Sequence, residues 1–307
     1  MTPADGRGGS PVTEPVSLTP AGPALLRLGD LLVDAEAEAR SLYELRRAGL
    51  ARGPVSGLPL LDRELSGAMD PGLHMLHGAP GTGKSALALQ VATSCACPAL
   101  LVTLEMRPLV LLRRLAARMT ETYLGRFSSG ELPPDRALDL YRRAIAAAPG
   151  LAILDGTREP VSLADITRAA EMVRGEHPYL LVVVDSLHSY ADAQAGASAD
   201  TEYDRLNAAL VGLRALSARL VCPVLVVCER NRVSMAKGGM SAGAGTRKIE
   251  YGAETVIDLE VAEDAKHDAQ GDKQVALKLV KNRAGEAGRT IRLLFNGALQ
   301  RFREDMQ

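Results

Sequence analysis

The sequence predicts an α/β fold, in which a mostly parallel sheet is flanked by helices and carries an antiparallel extension toward its C-terminal end. Short apolar runs alternate with helical stretches between residues 73 and 227, which is the order expected of a βαβ architecture. These runs, such as 180–184 (LLVVV), lack polar alternation, as is typical of strands covered on both faces. After residue 254 the strands become short and alternating between glycine turns, which indicates antiparallel pairing at one sheet edge.

Each element follows from its local pattern. Leucines among charged residues over 24–49 predict an amphipathic helix with a break near Gly29. Apolar runs predict strands at 73–77, 99–103, 151–154, 180–184 and 224–227, and alternation predicts three more at 255–261, 274–280 and 290–295. Helical periodicity predicts helices at 84–94, 108–119, 135–147, 163–173 and 204–218.

The composition predicts three segments of different character. Residues 1–22 are rich in Pro, Gly, Ser and Thr, which predicts a disordered tail. Residues 23–52 contain the amphipathic stretch and are interpreted as a helical linker or oligomerisation segment. The α/β pattern then occupies 53–307, which we expect to form the main domain.

Bulk properties exclude several classes of protein. The net charge is −1, so any nucleic-acid contact would have to come from a local basic patch rather than from a global field. No apolar stretch reaches the ~18 residues of a membrane span, and the N-terminus lacks the pattern of a secretory signal. The four cysteines lack zinc-ligand spacing, so we expect reduced thiols, a cytoplasmic protein and no membrane partner.

A complete phosphate-binding loop carries the strongest functional signal. The sequence G-x-x-x-x-G-K-[ST] requires glycines so that successive backbone N–H groups can wrap one anion, and it opens a helix whose N-terminal end favours phosphate. The lysine would reach the β- and γ-phosphates of ATP, and the serine would ligate Mg²⁺. Eight residues match this motif between a predicted strand and a predicted helix: Gly78, Ala79, Pro80, Gly81, Thr82, Gly83, Lys84 and Ser85.

Two acidic residues follow predicted strands of the sheet. Asp185 ends the apolar run 179–184, where a parallel strand delivers a side chain to the ligand-binding edge, so it is a candidate for holding Mg²⁺. Glu105 follows the strand 99–103, where a carboxylate could orient and deprotonate the attacking water. Position alone leaves other interpretations open, namely a helix N-cap for Asp185 and a solvated turn residue for Glu105.

From about residue 53 to 303 the chain resembles the ATPase domain of DnaB-type replicative helicases, within the wider RecA-like group. Gly57-Leu58-Pro59-Leu60-Leu61-Asp62 is similar to that family's G-x-x-x-L-D before the phosphate loop. Thr103-Leu104-Glu105-Met106 is similar to its S-L-E-M, and Lys281-Asn282-Arg283-Ala284-Gly285 to its K-x-R-x-G.

This resemblance implies a RecA-like P-loop core and an ATP-hydrolysing helicase or translocase. It implies that Glu105 is the hydrolytic base, and that Lys281 and Arg283 reach into the ATP site of a neighbouring subunit. It also implies ATP and Mg²⁺ as ligands, a homo-oligomer, suspected to be a hexameric ring, and single-stranded DNA as the partner.

Two departures from the family pattern affect these expectations. Asp185-Ser186 is more similar to the D-S of RadA and KaiC than to the D-Y of the helicases. Glu229 stands where the family has a glutamine that reads the γ-phosphate, so a carboxylate is expected beside phosphate and the coupling to DNA is in question.

The segment 233–248 is predicted to be a flexible loop that contacts single-stranded DNA. It is rich in glycine, and Lys237, Arg247 and Lys248 are its only charged residues, all of them positive. It offers no aromatic side chain for base stacking, so contacts would be mainly to phosphates. A solvated surface loop is the alternative interpretation.

Two other functions remain open from the sequence. One is a RadA- or KaiC-like ATPase that acts in recombination or regulation without helicase activity. The other is a non-catalytic module that binds ATP for assembly.

Overall fold

A computed structural model describes residues 26–194, 201–229, 252–261 and 266–305. The chain divides into one unit that ends at Gly49 and a second that begins at Leu50. In the first unit, a 3-10 turn at Leu28–Leu31 precedes helix α1 (Leu32–Arg47), so the predicted amphipathic helix is present and its predicted break lies at the 3-10 turn. The predicted tail, 1–22, lies outside the described residues.

The second unit holds the α/β pattern. Its helices are α2 (Pro59–Glu64), α3 (Lys84–Ser94), α4 (Pro108–Thr120), α5 (Pro134–Ala146), α6 (Leu163–Arg174), α7 (Leu187–Gln194) and α8 (Glu202–Leu220). Its strands are β1 (Gly72–Gly78), β2 (Ala99–Thr103), β3 (Leu151–Asp155), β4 (Leu181–Asp185), β5 (Pro223–Glu229), β6 (Thr255–Val261), β7 (Asp272–Asn282), β8 (Thr290–Asn296) and β9 (Arg301–Glu304). No helix in the described part of the chain is long and apolar enough to cross a membrane.

The strands within the described ranges form one sheet in the order β3-β2-β4-β5-β1-β6-β7-β8-β9. The pairs from β3 through β6 are parallel, whereas β7, β8 and β9 pair antiparallel. The predicted fold class is therefore confirmed: a RecA-like, mostly parallel sheet flanked by helices, with an antiparallel C-terminal extension.

Two apolar layers cover the sheet because successive strand residues point to opposite faces. Leu76 and Leu225 belong to the layer that contains the buried side chains of α3, while Met75 and Val226 belong to the layer under α6, α7 and α8. The four apolar residues of β4, 181–184, are buried, as the uninterrupted apolar run predicted, and Asp185 at its end is buried as well.

Three short elements were missed by the sequence patterns. Helix α2 is only six residues long, and α7 has no clear apolar periodicity. Strand β9 reads RFRE, in which three of four residues are charged, and it forms only because it pairs with β8.

The side-chain amide of Gln90 attaches the last strand of the sheet to α3. Its Nε2 donates to the carbonyl of Phe302 at 2.9 Å, and the N–H of Phe302 donates to its Oε1 at 2.9 Å. All of these groups are buried, so the amide supplies hydrogen bonds that a further strand would otherwise supply. The Phe302 ring also stacks on Phe295, with ring centroids 4.2 Å apart.

The variant Gln90→Met tests this link. It keeps the volume but leaves the buried N–H and C=O of Phe302 without partners, so the free energy of unfolding should fall by about 2–4 kcal/mol. Urea denaturation followed by circular dichroism measures the change. The matched control is Gln274→Met at an exposed position of β7, which should change stability by less than about 0.5 kcal/mol; equal losses in both variants would contradict the assignment.

Candidate nucleotide-binding site

The phosphate loop lies between β1 and α3 and depends on glycine at specific points. Gly81 and Gly83 have φ values of 76° and 100°, which favour glycine. A Cβ at Gly83 would also lie 2.9 Å from Cζ of Phe302 and 3.1 Å from the Phe295 ring. The phosphate loop therefore packs against the antiparallel extension at Gly83, and only glycine fits at this position.

Lys84 is buried at the start of α3. Its Nζ donates to the carbonyls of Gly78 at 2.9 Å and Ala79 at 3.0 Å. Burial lowers the pKa of Lys84, and the nearby carboxylates, Glu229 first and then Asp185, oppose that shift. The ammonium is thus held inside the loop, where an anionic phosphate would replace the carbonyls as its partner.

Asp185 ends β4 and lies opposite Thr103 of β2 in the parallel register. Its carboxyl group is buried, and the neighbouring Ser85 side chain favours its charged form. Burial raises the pKa of Asp185, and the charge of Glu105 adds to the increase, while Ser85, Arg114 and Lys84 oppose it. A hydroxyl and a carboxylate side by side fit Mg²⁺, which takes oxygen ligands and commonly shares them with substrate phosphates.

Glu105 lies in the turn after β2, and two hydrogen bonds to main-chain carbonyls fix that turn. The Leu104 N–H donates to the carbonyl of Asp185 at 3.0 Å, and the Thr103 hydroxyl donates to the carbonyl of Met106 at 2.6 Å. These bonds place the Glu105 carboxylate next to the end of β4.

The Glu105 carboxylate accepts two side-chain hydrogen bonds on the same oxygen. The Ser186 hydroxyl donates to Oε1 at 2.6 Å and the Ser189 hydroxyl donates to Oε1 at 2.5 Å. Burial raises the pKa of Glu105, but these two hydrogen bonds and the charge of Lys84 outweigh it, so the net pKa lies below its ordinary value. The group is therefore ionised at neutral pH, as a base must be.

One open cavity collects these groups. Glu105, Lys84, Ser85 and Asp185 all line it, and so does Glu229, which pairs with Gly78 in the β1–β5 register. A cavity bordered by the phosphate loop, a lysine, a serine–aspartate pair and a glutamate has the parts needed to bind and hydrolyse a nucleoside triphosphate.

Further residues of the cavity were not assigned to the site from sequence. Arg114 lines it from α4, and its buried Nε has no hydrogen-bond partner among the described residues. Phe295, Gly297 and Gln300 border it from the β8–β9 hairpin. Ser186 was noted only as part of the D-S pair, and Ser189 was missed. Its spacing of three residues from Ser186, which directly precedes α7, is the only local signal.

Lys281 and Arg283 are not in this cavity. Lys281 pairs with Val256 of β6, and Asn282 pairs with Thr255, which in turn pairs with His74 near the start of β1. The phosphate loop follows the other end of β1, four residues farther along, which is roughly 13 Å at the rise of a strand. Both basic residues therefore lie near the end of the strands opposite to the end that carries their own phosphate loop.

Arg283 is held by Glu254 at that end of the strands. Its Nη1 lies 2.8 Å from Oε1 of Glu254, and its backbone N–H donates to the Glu254 carbonyl at 3.0 Å. The Arg283 side chain is still half exposed, with 53% of it accessible. Lys237, Arg247 and Lys248, the predicted DNA contacts, lie outside the described residues.

A family model for the DnaB-like helicase C-terminal domain matches residues 53–304. The chain belongs to this family. The resemblance inferred from the short motifs is confirmed by this match, which spans almost the whole second unit. As a DnaB-like domain, the chain is a member of a helicase ATPase family.

Solved structures show the same fold. The ATPase domain of a DnaB-like helicase matches the DnaB-like domain described here with a TM-score of 0.72 and 18% identity, covering 88% of this chain and 98% of that one. A DnaB-like replicative helicase, described with its primase interactions, matches with a TM-score of 0.71 and 18% identity, covering 91% and 67%. A KaiC-like protein of Pyrococcus horikoshii matches at 0.54 and 19% identity, covering 83% and 99%.

The variant Lys84→Ala tests the phosphate site. It removes the buried ammonium that would meet the phosphates, so ATP hydrolysis should fall by at least about 10²–10³-fold. Phosphate release and binding of a fluorescent ATP analogue measure the loss. Lys273→Ala, on β7 and outside the cavity lining, is the control and should retain wild-type hydrolysis; an active Lys84→Ala variant would contradict the site.

Proposed function

We propose that this DnaB-like domain hydrolyses ATP as a DNA helicase or translocase, acting as a ring oligomer on single-stranded DNA. The observation that carries the proposal is the division of the catalytic groups. Lys84, Ser85, Asp185 and Glu105 meet at one cavity, whereas Arg283 lies toward the opposite sheet edge. A complete site then requires the Arg283 edge of a second copy.

In the proposed reaction the loop N–H groups and Lys84 bind the β- and γ-phosphates. Ser85 and Asp185 would hold Mg²⁺, which would supply positive charge against the phosphates. Glu105 orients a water molecule in line with the γ-phosphorus and accepts its proton. Arg283 and Lys281 from the neighbouring copy stabilise the charge that develops on the transferred phosphoryl group.

Coupling to DNA would run through β5 in this proposal. Glu229 ends that strand and pairs with Gly78. Its charge is the largest of those that raise the pKa of Lys84. The basic segment 233–248 follows shortly after it in the chain. Loss of the γ-phosphate would therefore change the electrostatic environment of Glu229, which precedes the predicted DNA loop. The segment 23–52 would serve as a helical linker between copies in the ring.

The decisive experiment is the ATPase rate with and without single-stranded DNA, together with mass by light scattering. We expect a mass of several subunits, with six as the expected number, and a higher rate with DNA. The triple variant Lys237→Ala, Arg247→Ala and Lys248→Ala should lose DNA stimulation and lower the salt slope of binding by about 0.7 per phosphate contact removed. A monomeric ATPase that ignores DNA would contradict the proposal.

Subunit mixing tests the role of Arg283. Arg283→Ala and Lys84→Ala proteins should each be inactive, because an arginine finger contributes about 10³–10⁵ in rate. Their mixture should regain activity, since some interfaces then combine an intact phosphate loop with an intact Arg283. Fluorescent labels confirm that subunits exchange; exchange without recovered activity would exclude a role in the neighbouring site. In the control mixture, Arg292→Ala, at an exposed position of β8, replaces Arg283→Ala.

A RadA- or KaiC-like regulatory ATPase is the second candidate. Glu229 favours it, because a carboxylate close to Lys84 would repel the γ-phosphate where the helicase family has a neutral amide. Strand displacement on a forked DNA substrate separates the two candidates. ATPase activity without displacement would favour the regulatory function, and the absence of ATPase activity would favour an assembly module.

A further inference from the structure

Two serine hydroxyls donate hydrogen bonds to one carboxylate oxygen of Glu105, the proposed hydrolytic base. Ser186 and Ser189 both donate to Oε1 of Glu105, and their own hydroxyl oxygens lie 3.1 Å apart. We define this group, Ser186 and Ser189 on Glu105, as the hydroxyl clamp. The three residues come from two separate chain segments, 81 and 84 positions apart in sequence.

We propose that Ser189 is a positioning residue for ATP hydrolysis, which holds Glu105 in place so that its other oxygen, Oε2, can accept the proton of the attacking water. This proposal rests on the proposed function, because it assigns Glu105 as the base. Ser186, which directly follows Asp185 in the chain, is the second hydroxyl donor of the clamp.

Ser189 acts through Glu105 rather than on the nucleotide. Ser186 and Glu105 are among the described residues that line the cavity, whereas Ser189 is not. It lies in the first turn of α7, three residues beyond Ser186, which directly precedes that helix. Its hydroxyl donates to the Glu105 carboxylate at 2.5 Å and lies 3.1 Å from the Ser186 hydroxyl.

The clamp is mounted on rigid parts of the fold. Leu187, Tyr190 and Ala191 of α7 are buried in the apolar layer under the sheet, so the helix cannot shift without disrupting that layer. On the other side, the bond from the Leu104 N–H to the Asp185 carbonyl holds the turn that carries Glu105. A carboxylate held between two fixed elements loses little orientational freedom when water arrives.

The use of a single oxygen has a chemical consequence. Both clamp bonds fall on Oε1, and no hydrogen bond among the described residues engages Oε2. In hydrolysis, Oε2 takes a proton from water as the water oxygen bonds to the γ-phosphorus. The bond from that phosphorus to the bridging oxygen breaks, and ADP leaves with the electron pair. The hydroxyl bonds also favour the ionised carboxylate, in keeping with its lowered pKa.

The test compares Ser189→Ala with Ser189→Thr in the full chain, by basal ATPase kinetics without DNA. Ser189→Ala should lower kcat about tenfold, which corresponds to about 1.4 kcal/mol, and leave KM for ATP little changed. Because the lost bond favours ionised Glu105, the acidic limb of the kcat profile should move to higher pH. Ser189→Thr keeps the hydroxyl and should restore kcat. Ser129→Ala, at an exposed turn, is the control.

A double-mutant cycle separates positioning from general damage. In a Glu105→Gln background, Ser189→Ala should cause no further loss, because the group it positions no longer acts as a base. An unchanged or increased kcat in Ser189→Ala, a slow Ser189→Thr, or an equal loss in the Glu105→Gln background would each overturn the proposal while wild-type hydrolysis stands. A wild-type chain without ATPase activity would overturn the proposed function and this inference together.

Discussion

The parallel register of β2, β4, β5 and β1 is the constraint on which the site depends. It sets Thr103 opposite Asp185, Asp185 opposite Val227, and Gly78 opposite Glu229. Strands that run in the same direction end at the same edge, so every residue that follows one of them meets the others there. A slip of one residue in any pair would turn each side chain to the opposite face and separate the carboxylates from the phosphate loop.

Electrostatics at this edge are dominated by carboxylates. Glu105, Asp185 and Glu229 all border the cavity, against the two cations Lys84 and Arg114. The Lys84 ammonium is bound by backbone carbonyls of the loop, and burial raises the pKa of Asp185. A triphosphate would add more negative charge. Under the proposed function, a divalent cation at Ser85 and Asp185 would offset it, because phosphate and carboxylate oxygens could then bind the same ion.

The two ends of β1 and its neighbours have different proposed roles. One end carries the phosphate loop, and the other carries Arg283 fixed by Glu254. A rigid sheet keeps these ends a constant distance apart, so neither can serve the other within one chain. Under the proposed ring arrangement, that same rigidity would transmit a change at one ATP site to the edge that completes the next.

The sequence by itself determined the parts whose physics is local. The phosphate loop consists of consecutive residues, and strands such as β4 are marked by apolar runs that only a covered sheet can bury. The order of the strands was not predicted from sequence. The positions of Glu105 and Asp185 after apolar strands predicted only that each lies near the ligand-binding edge, and not that β2 and β4 are neighbours.

Only the tertiary structure decided the contacts between distant segments. The bond from Ser189 to Glu105 spans 84 positions, and nothing near either residue encodes it. Strand β9, with its charged sequence, becomes a strand because β8 and the Gln90 amide satisfy its backbone. The separation of Arg283 from its own phosphate loop likewise depends on β7 pairing antiparallel with β6. Local patterns fix which residues can form an element, but the pairing of elements sets which side chains meet, because that pairing is decided by burial over the whole sheet.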